Sequence, residues 1–169
     1  MKNNENLRAE ILQKLSQIAI FDELKDREED LERLLSIIKT KSYPKGSVII
    51  REGEMGSEMY IVYKGSVEIQ KQTRAGDTYT VVQLKAENNV FFGEIALVDD
   101  DKRSATVIAL EDSEFLVLNK ADFLALGKMN PEIALPVTRA IARILASRLR
   151  KTTIDMLTIF DALVNEIQG

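Results

Sequence analysis

The chain contains no cysteine and no histidine among its 169 residues. Disulfide bonds, the common zinc and iron–sulfur ligand sets and every catalytic triad built on histidine are therefore excluded. Without these side chains, no pairing of a nucleophile with a base and no metal constellation can be assembled from the sequence. We therefore expect a protein that is not an enzyme and that has neither an enzyme cofactor nor a metal site.

Long hydrophobic runs are also lacking, since no segment approaches the ~18 consecutive apolar residues of a membrane span. The first six residues lead into an amphipathic pattern and do not resemble a signal peptide. The net charge is −4, whereas a nucleic-acid-binding domain is usually strongly basic. These absences predict a cytoplasmic protein that binds neither a membrane nor nucleic acid.

One basic cluster departs from this acidic balance, and it consists of Arg139, Arg143, Arg148, Arg150 and Lys151. Apolar residues are interspersed with these charges at helical spacing. We therefore interpret the cluster as the solvated face of a helix.

The hydrophobic pattern divides the chain into three segments, which we predict to be an N-terminal helical segment 1–42, a β segment 43–119 and a C-terminal helical segment 120–169. In the first, apolar spacing predicts a helix over about 6–19 and another that starts with a capping box at Asp26–Glu29 and buries a stripe ending at Ile38. The second has short runs rich in Val, Ile, Tyr and Phe between glycines. Its predicted strands cover residues 47–51, 58–63, 66–72, 78–85, 104–110 and 113–118. The fold class is α+β, with a β-barrel or jelly roll between helices.

The last helix is predicted to start at Asn130-Pro131, and Pro136 either restarts it or kinks it. From Val137 to Gln168 neither Gly nor Pro interrupts it, which leaves room for roughly eight or nine turns. An apolar series with alternating spacings of three and four predicts a two-stranded coiled coil and hence a homodimer. Its members are Ala142, Leu145, Leu149, Thr152, Met156, Ile159 and Leu163. The alternative is that this stripe packs on the protein's own β segment.

The most informative stretch runs from Phe92 to Val107, because it places Glu94 and Arg103 nine residues apart in an otherwise apolar segment. The amides of a turn beginning at Gly93 favour an anion, and glycine allows the backbone to approach a ligand closely. Arg103 can give a phosphate two parallel donors. Glu94 is an acceptor, so its natural partner is a hydroxyl beside that phosphate. These groups together fit a ribose phosphate.

This stretch resembles the phosphate-binding cassette of the cyclic nucleotide-binding domain family. Further motifs of that family follow in its order and spacing: Ile20-Phe21-x-x-Leu24, Pro44-Lys45-Gly46, Glu52-Gly53, Gly56, Tyr60-Ile61-Val62 and Lys64-Gly65-Ser66-Val67. The resemblance implies that Glu94 takes the ribose 2′-hydroxyl and Arg103 the cyclic phosphate. It also implies phosphate contacts from the amides of Ile95, Ala96 and Ala105. Ser104 is either a phosphate contact or a small strand residue.

The chain departs from the family pattern at two points. It has Asn89-Val90-Phe91 where Gly-Asp-x is common, and Lys102 where a proline often precedes the Arg. Asparagine tolerates the left-handed conformation, so the turn at position 89 can survive. The acidic run Asp99–Asp101 is expected to be solvent-exposed, and a metal site is a weak alternative.

The resemblance extends to the catabolite activator subgroup through residues 147–153 of the long helix. It implies that Thr152 contacts the adenine bound by its own chain and that Thr153 contacts the adenine bound across the dimer. The alternative is that both hydroxyls bond back to the preceding helical turn.

The resemblance thus implies a non-catalytic receptor for a cyclic nucleotide, cAMP in preference to cGMP, that signals through its C-terminal helix to an unidentified effector, and we expect no DNA-binding domain. The alternative is a dimerising interaction protein of the same fold with an empty pocket, in which Glu94 and Arg103 pair with each other.

Overall fold

The computed structural model describes residues 2–168, and these residues form two antiparallel sheets with helices at both ends. The helices are α1 (Lys2–Ser16), α2 (Glu28–Leu35), α3 (Lys120–Met129) and α4 (Pro131–Gln168). The strands are β1 (Ile38–Tyr43), β2 (Val48–Ile50), β3 (Glu58–Lys64), β4 (Ser66–Gln72), β5 (Thr78–Lys85), β6 (Phe91–Phe92), β7 (Thr106–Ala109) and β8 (Ser113–Asn119). Short 3-10 turns cover Ala19–Leu24, Ala86–Asn88 and Glu94–Leu97. The predicted α+β class is confirmed.

The strands pair in two four-stranded sheets with the orders β1-β8-β3-β6 and β2-β7-β4-β5. Neither sheet closes on itself, so the barrel is not confirmed. The sheets face each other across a core that includes Tyr60 and Val62 of β3 and Val67 of β4. Aromatic rings fill its centre, with the rings of Tyr60 and Phe92 stacked at 5.2 Å.

Strand β3 is buried on both faces. Its side chains therefore contribute both to the core between the sheets and to the core against the helices. Met59 and Ile61 point away from the second sheet and pack against the helices. There they meet Leu15 of α1 and the start of α4, where Ile133 and Ile141 are fully buried. Strand alternation thus ties the helical layer directly to the strand next to the cassette.

Helix α4 runs without a break through Pro136, so this proline does not restart the helix. Proline leaves the carbonyl four residues earlier without its helical partner. That carbonyl belongs to Glu132, and it accepts a hydrogen bond of 3.1 Å from the Arg27 guanidinium. The C-terminal half of α4 projects from the body, and its apolar side chains at Leu149, Met156 and Ile159 are more than 60% exposed.

Two strands were not predicted from the sequence, and the second helix starts differently from the prediction. Ile38 was assigned to the helical stripe, but it begins β1, which pairs along its whole length with β8. Strand β6 has only two residues. Helix α2 begins at Glu28 with Arg27 as its N-cap and no side-chain cap, so the predicted capping box does not form. Among residues 2–168, no helix is both long and apolar enough to span a membrane.

Candidate functional site

The cassette turn is shaped by Gly93, which follows β6 with φ of +76° in the left-handed region. A Cβ atom there would lie 2.9 Å from Nη1 of Arg103 and 3.0 Å from the carbonyl oxygen of Glu58. Glycine is therefore required both by the conformation and by the space. The following 3-10 turn is anchored by Ala96 and Leu97, which are buried.

Arg103 is positioned by a loop on the opposite side of the site. Its amide donates to the carbonyl of Glu54 at 2.8 Å, and its own carbonyl accepts from the Gly53 amide at 2.9 Å. The guanidinium then donates through Nη2 to the carbonyl oxygen of Glu58 at 2.7 Å and through Nη1 to that of Gly93 at 3.4 Å. Backbone pairing and side-chain hydrogen bonds together fix this arginine beside the cassette turn.

The charge of Arg103 has no carboxylate partner within residues 2–168, because its recorded acceptors are both backbone carbonyls. Burial lowers the pKa of Arg103, and the nearby groups Tyr60, Glu58 and Glu94 act in the opposite direction. A half-buried guanidinium whose hydrogen bonds go only to backbone carbonyls among the described residues favours the arrival of an anion.

Gly56 lies directly against Arg103. A Cβ atom at this position would come within 2.2 Å of Nε of Arg103. The φ angle of Gly56 is not positive, so its backbone would tolerate alanine. The arginine side chain therefore requires this glycine for space alone.

The polar side chains of Lys41, Glu58 and Tyr60 form a hydrogen-bonded group next to Arg103. Lys41 Nζ lies 2.7 Å and 2.8 Å from the two carboxylate oxygens of Glu58, and the Tyr60 hydroxyl donates to Glu58 at 2.7 Å. Burial acts to raise the pKa of Glu58, but the hydrogen bonds from Lys41 and Tyr60 outweigh it and leave this pKa lowered. Burial and the Glu58 carboxylate raise the pKa of Tyr60. Glu58 and Tyr60 border a concavity of about 270 Å³ that Arg103 also lines.

Glu94 is buried, with its side chain only 3% exposed, and it is paired with Arg148 of α4. The two side chains form a hydrogen-bonded salt bridge across 54 positions of the chain. Glu94 and Arg103 therefore do not pair with each other, which was the premise of the empty-pocket alternative. Arg148 was interpreted as part of a solvated helix face, and its contact with Glu94 corrects that interpretation.

The other predicted features of this region have distinct outcomes. Asn89 has φ of +52°, so the left-handed turn survives the loss of the family glycine, as expected. Lys102 forms an isolated antiparallel bridge with Met55. Asp99–Asp101 is exposed, as expected, and Asp100 accepts a hydrogen bond of 2.7 Å from Lys120.

Comparison with known proteins identifies the family to which this domain belongs. The model of the cyclic nucleotide-binding domain matches residues 40–130, which includes the whole cassette. This chain belongs to the cyclic nucleotide-binding domain family.

Individual relatives share this domain in different contexts. The domain is 33% identical over 128 residues to the cyclic AMP receptor protein of Thermus thermophilus, covering 76% of this chain and 56% of that protein. It is 38% identical over 97 residues to human cGMP-dependent protein kinase 2, covering 57% of this chain and 13% of the kinase. The crystal structure of the Thermus thermophilus catabolite activator protein has a TM-score of 0.67, covering 76% of this chain and 57% of that one. The chain thus spans little more than half the length of the first relative and far less of the second.

Within this cyclic nucleotide-binding domain, the structure places Arg103 against Gly93, as the sequence predicted, and Glu94 lies close enough to act on the pKa of Arg103. The Ala96 amide donates to the Gly93 carbonyl at 3.2 Å, and Ser104 is exposed. Ala105 is half-buried where the chain enters β7. The phosphate contacts proposed for the amides of Ile95, Ala96 and Ala105 remain predictions.

Thr152 and Thr153 are exposed on α4, one helical turn beyond Arg148. The Thr153 hydroxyl donates to the Leu149 carbonyl at 2.9 Å, which is the back-bonded arrangement. Neither threonine has a hydrogen bond to the cassette in the described part of the chain. Their contact with the base remains a prediction.

Sequence reasoning missed the residues that support the site, namely Glu58, Tyr60 and Arg148. The only signal for Arg148 is that it precedes Thr152 by four residues, which places both on one helix face. The role of Glu58 is carried partly by its carbonyl, which leaves no signal in the side-chain pattern.

Proposed function

We propose that this chain is a non-catalytic receptor that binds a cyclic nucleotide between Glu94 and Arg103 and signals through α4. The observation that carries the proposal is the guanidinium of Arg103, half-buried beside the cassette turn and bonded only to carbonyls among the described residues. A phosphate would give this charge a full partner. The buried carboxylate of Glu94 supplies the acceptor that a ribose hydroxyl needs.

We favour cAMP over cGMP as the ligand. Similarity to the cyclic AMP receptor protein extends over 76% of the chain, whereas similarity to the cGMP-dependent kinase covers 57%. The proposal includes contacts of Thr152 and Thr153 with the base. The segments 1–42 and 120–169 then flank a binding segment 43–119, although residues 38–42 of the first flank belong to β1 and not to a helix.

The pair Glu94–Arg148 supplies a route from ligand to helix. A ribose hydroxyl bound to Glu94 would share this carboxylate with Arg148, which now donates to its Oε1. Occupancy of the site therefore changes a contact of α4 itself. An effector that binds α4 would then respond to the presence of the ligand.

Exposed apolar side chains on α4 support a homodimer. Leu149, Met156, Ile159 and Leu163 are each more than half exposed and lie along the predicted coiled-coil seam. The projecting half of the helix cannot cover this stripe with its own body, since all but one of residues 149–167 are exposed. A parallel second copy would bury it.

Calorimetric titration tests the binding proposal directly. The protein is first unfolded and refolded to remove any co-purified nucleotide, then titrated separately with cAMP and cGMP. Saturable binding that is tighter for cAMP is the expected result. Silence with both nucleotides would overturn the proposal and leave the dimerising interaction protein with an empty pocket.

The signalling step is tested by hydrogen exchange of the amides around 144–152, with and without cAMP. We expect nucleotide to change exchange in the parent protein and to change it less in Arg148→Gln. Arg150→Gln is the matched control, because Arg150 lies on the same turn and forms no ion pair with any of residues 2–168. Equal responses in all three proteins would exclude Arg148 as the connection.

A further inference from the structure

Lys14 of α1 reaches the turn that leads into the cassette. Its Nζ donates to the carbonyl of Ala86 at 2.5 Å and to Oδ1 of Asn89 at 2.8 Å. The side chain is half-buried, and burial lowers the pKa of Lys14. A desolvated ammonium group is tolerated only where acceptors replace its water, so these two oxygens are what hold it there.

The turn that Lys14 contacts consists of residues 86–89, which we call the lead-in turn. Its 3-10 geometry is closed by the Asn89 amide, which donates to the Ala86 carbonyl at 3.2 Å. One residue later, the Val90 carbonyl accepts from the Val62 amide at 3.0 Å, which fixes the chain to β3. Only β6 then separates this segment from Gly93 and Glu94.

We infer that Lys14 and Asn89 form a clasp by which helix α1 positions the cassette, so that nucleotide affinity depends on the docking of α1. The inference rests on the proposed nucleotide-binding function. A glycine at position 89 would adopt the left-handed conformation more readily than asparagine. Asparagine adds the acceptor that the lysine uses, which gives the departure from the family pattern a physical role.

The other attachments of helix α1 are contacts with the body outside the cassette. Among its described side chains, Ile11 and Leu15 are buried and Leu12 packs against the core. Glu10 accepts a 3.3 Å hydrogen bond from Tyr63, and Arg8 pairs with Glu32 of α2. Residues 5–10 are exposed. A displacement of α1 therefore releases the lead-in turn, and Lys14 and Asn89 act as positioning residues without touching the ligand.

Four variants test the clasp by cAMP titration. Lys14→Met removes the donor and Asn89→Gly removes the acceptor, and each is expected to weaken cAMP binding about three- to tenfold. The double variant should bind cAMP no more weakly than Lys14→Met, since the Lys14–Asn89 hydrogen bond that Asn89→Gly removes is already absent from Lys14→Met. Asn89→Asp keeps an acceptor and should stay within about twofold of the parent. Parental affinity in Lys14→Met, or additive losses in the double variant, would overturn the inference.

A ligand-free measurement separates this inference from the proposed function. Hydrogen exchange at residues 90–97 should be faster in Lys14→Met than in the parent and unchanged in Lys25→Met. Lys25 is a suitable control because it is an exposed lysine paired with Asp22. Unchanged exchange in Lys14→Met would refute the clasp even if cAMP binds. Faster exchange in a protein that binds neither nucleotide would support the clasp and refute the proposed function.

Discussion

The guanidinium of Arg148 donates a hydrogen bond to the carboxylate of Glu94 across 54 positions of the chain. The Glu94 side chain is 3% exposed, whereas that of Arg148 is 56% exposed. The carboxylate therefore cannot change partner by moving into water, but the arginine can. We therefore expect Arg148, and not Glu94, to move if a ribose hydroxyl binds to this carboxylate.

Substitution of Glu94 by Gln tests the sugar contact. The amide keeps the shape of the side chain but loses the charge, so we expect a smaller preference for ribose over 2′-deoxyribose analogues of cAMP. The loss of affinity should be smaller than for Arg103→Ala. Titration of both proteins with cAMP and 2′-deoxy-cAMP measures the difference, and equal discrimination by the two proteins would remove Glu94 from the sugar.

Arg103→Ala should weaken cAMP binding by at least ~100-fold, because the charge-assisted hydrogen bonds it gives the phosphate contribute roughly 1.5–3 kcal/mol each. Circular dichroism should show a folded protein, since the acceptors at Glu58 and Gly93 are backbone carbonyls beside an open concavity that water can enter. Lys102→Ala is the control, because the recorded contact of Lys102 is a backbone bridge. An unchanged dissociation constant in Arg103→Ala would contradict the cassette assignment.

Gly56→Ala should act through Arg103. The new Cβ would lie 2.2 Å from Nε of Arg103, so the guanidinium must leave the carbonyls of Glu58 and Gly93. We expect cAMP to bind at least ~10-fold more weakly, equivalent to ~1.4 kcal/mol. Ser57→Ala, at the next position, should bind as the parent does. Calorimetric titration of both variants with cAMP measures the difference. Parental affinity in Gly56→Ala would show that cAMP binding does not require Arg103 in its present position.

Light scattering at micromolar concentration should give twice the chain mass of 19.1 kDa. Ile159→Glu places a charge in the seam and should yield a monomer. Ile154→Glu is matched to it, since both isoleucines are 63% exposed, but Ile154 lies outside the seam and its variant should remain a dimer. A parent protein at the monomer mass would rule the dimer out.

The double variant Thr152→Val, Thr153→Ala should lower cAMP affinity and leave the dimer intact or tighter, because valine packs better in the seam than threonine. Calorimetry and light scattering measure the two effects separately. The Thr153 hydroxyl now bonds to the Leu149 carbonyl, and it must turn away from that carbonyl to reach a base. Unchanged affinity would leave base selection to the walls of the two sheets.

The parts of the fold that sequence predicted are those set by local pattern. Helices α1, α2 and α4 were predicted from apolar spacing and from Pro131, and six strands were predicted from β-rich runs between glycines. Strand β1 was not predicted because the Lys-Thr-Lys-Ser sequence at its centre is polar. Only its pairing with β8 makes this segment a strand. Tertiary pairing overrides such weak local preferences.

The same division holds for the candidate site. Gly93, Glu94 and Arg103 were recognised because one short segment contains the turn and both charges. Arg148 and Lys14 were not, because each reaches its partner from a distant helix. Such a contact depends on how two distant elements pack together, so the sequence of neither element contains a residue spacing that predicts it.

The unbroken course of α4 through Pro136 makes this helix a lever arm. Its fulcrum is the buried stretch that ends at Ile141, and Ile167 lies 26 residues further along the same helix, or ~39 Å at 1.5 Å per residue. A tilt of about 5° at the fulcrum would carry that far end roughly 3 Å. A rearrangement at Glu94 that is too small to disturb either sheet would therefore displace the C-terminal end of α4 by a distance comparable to a side-chain contact.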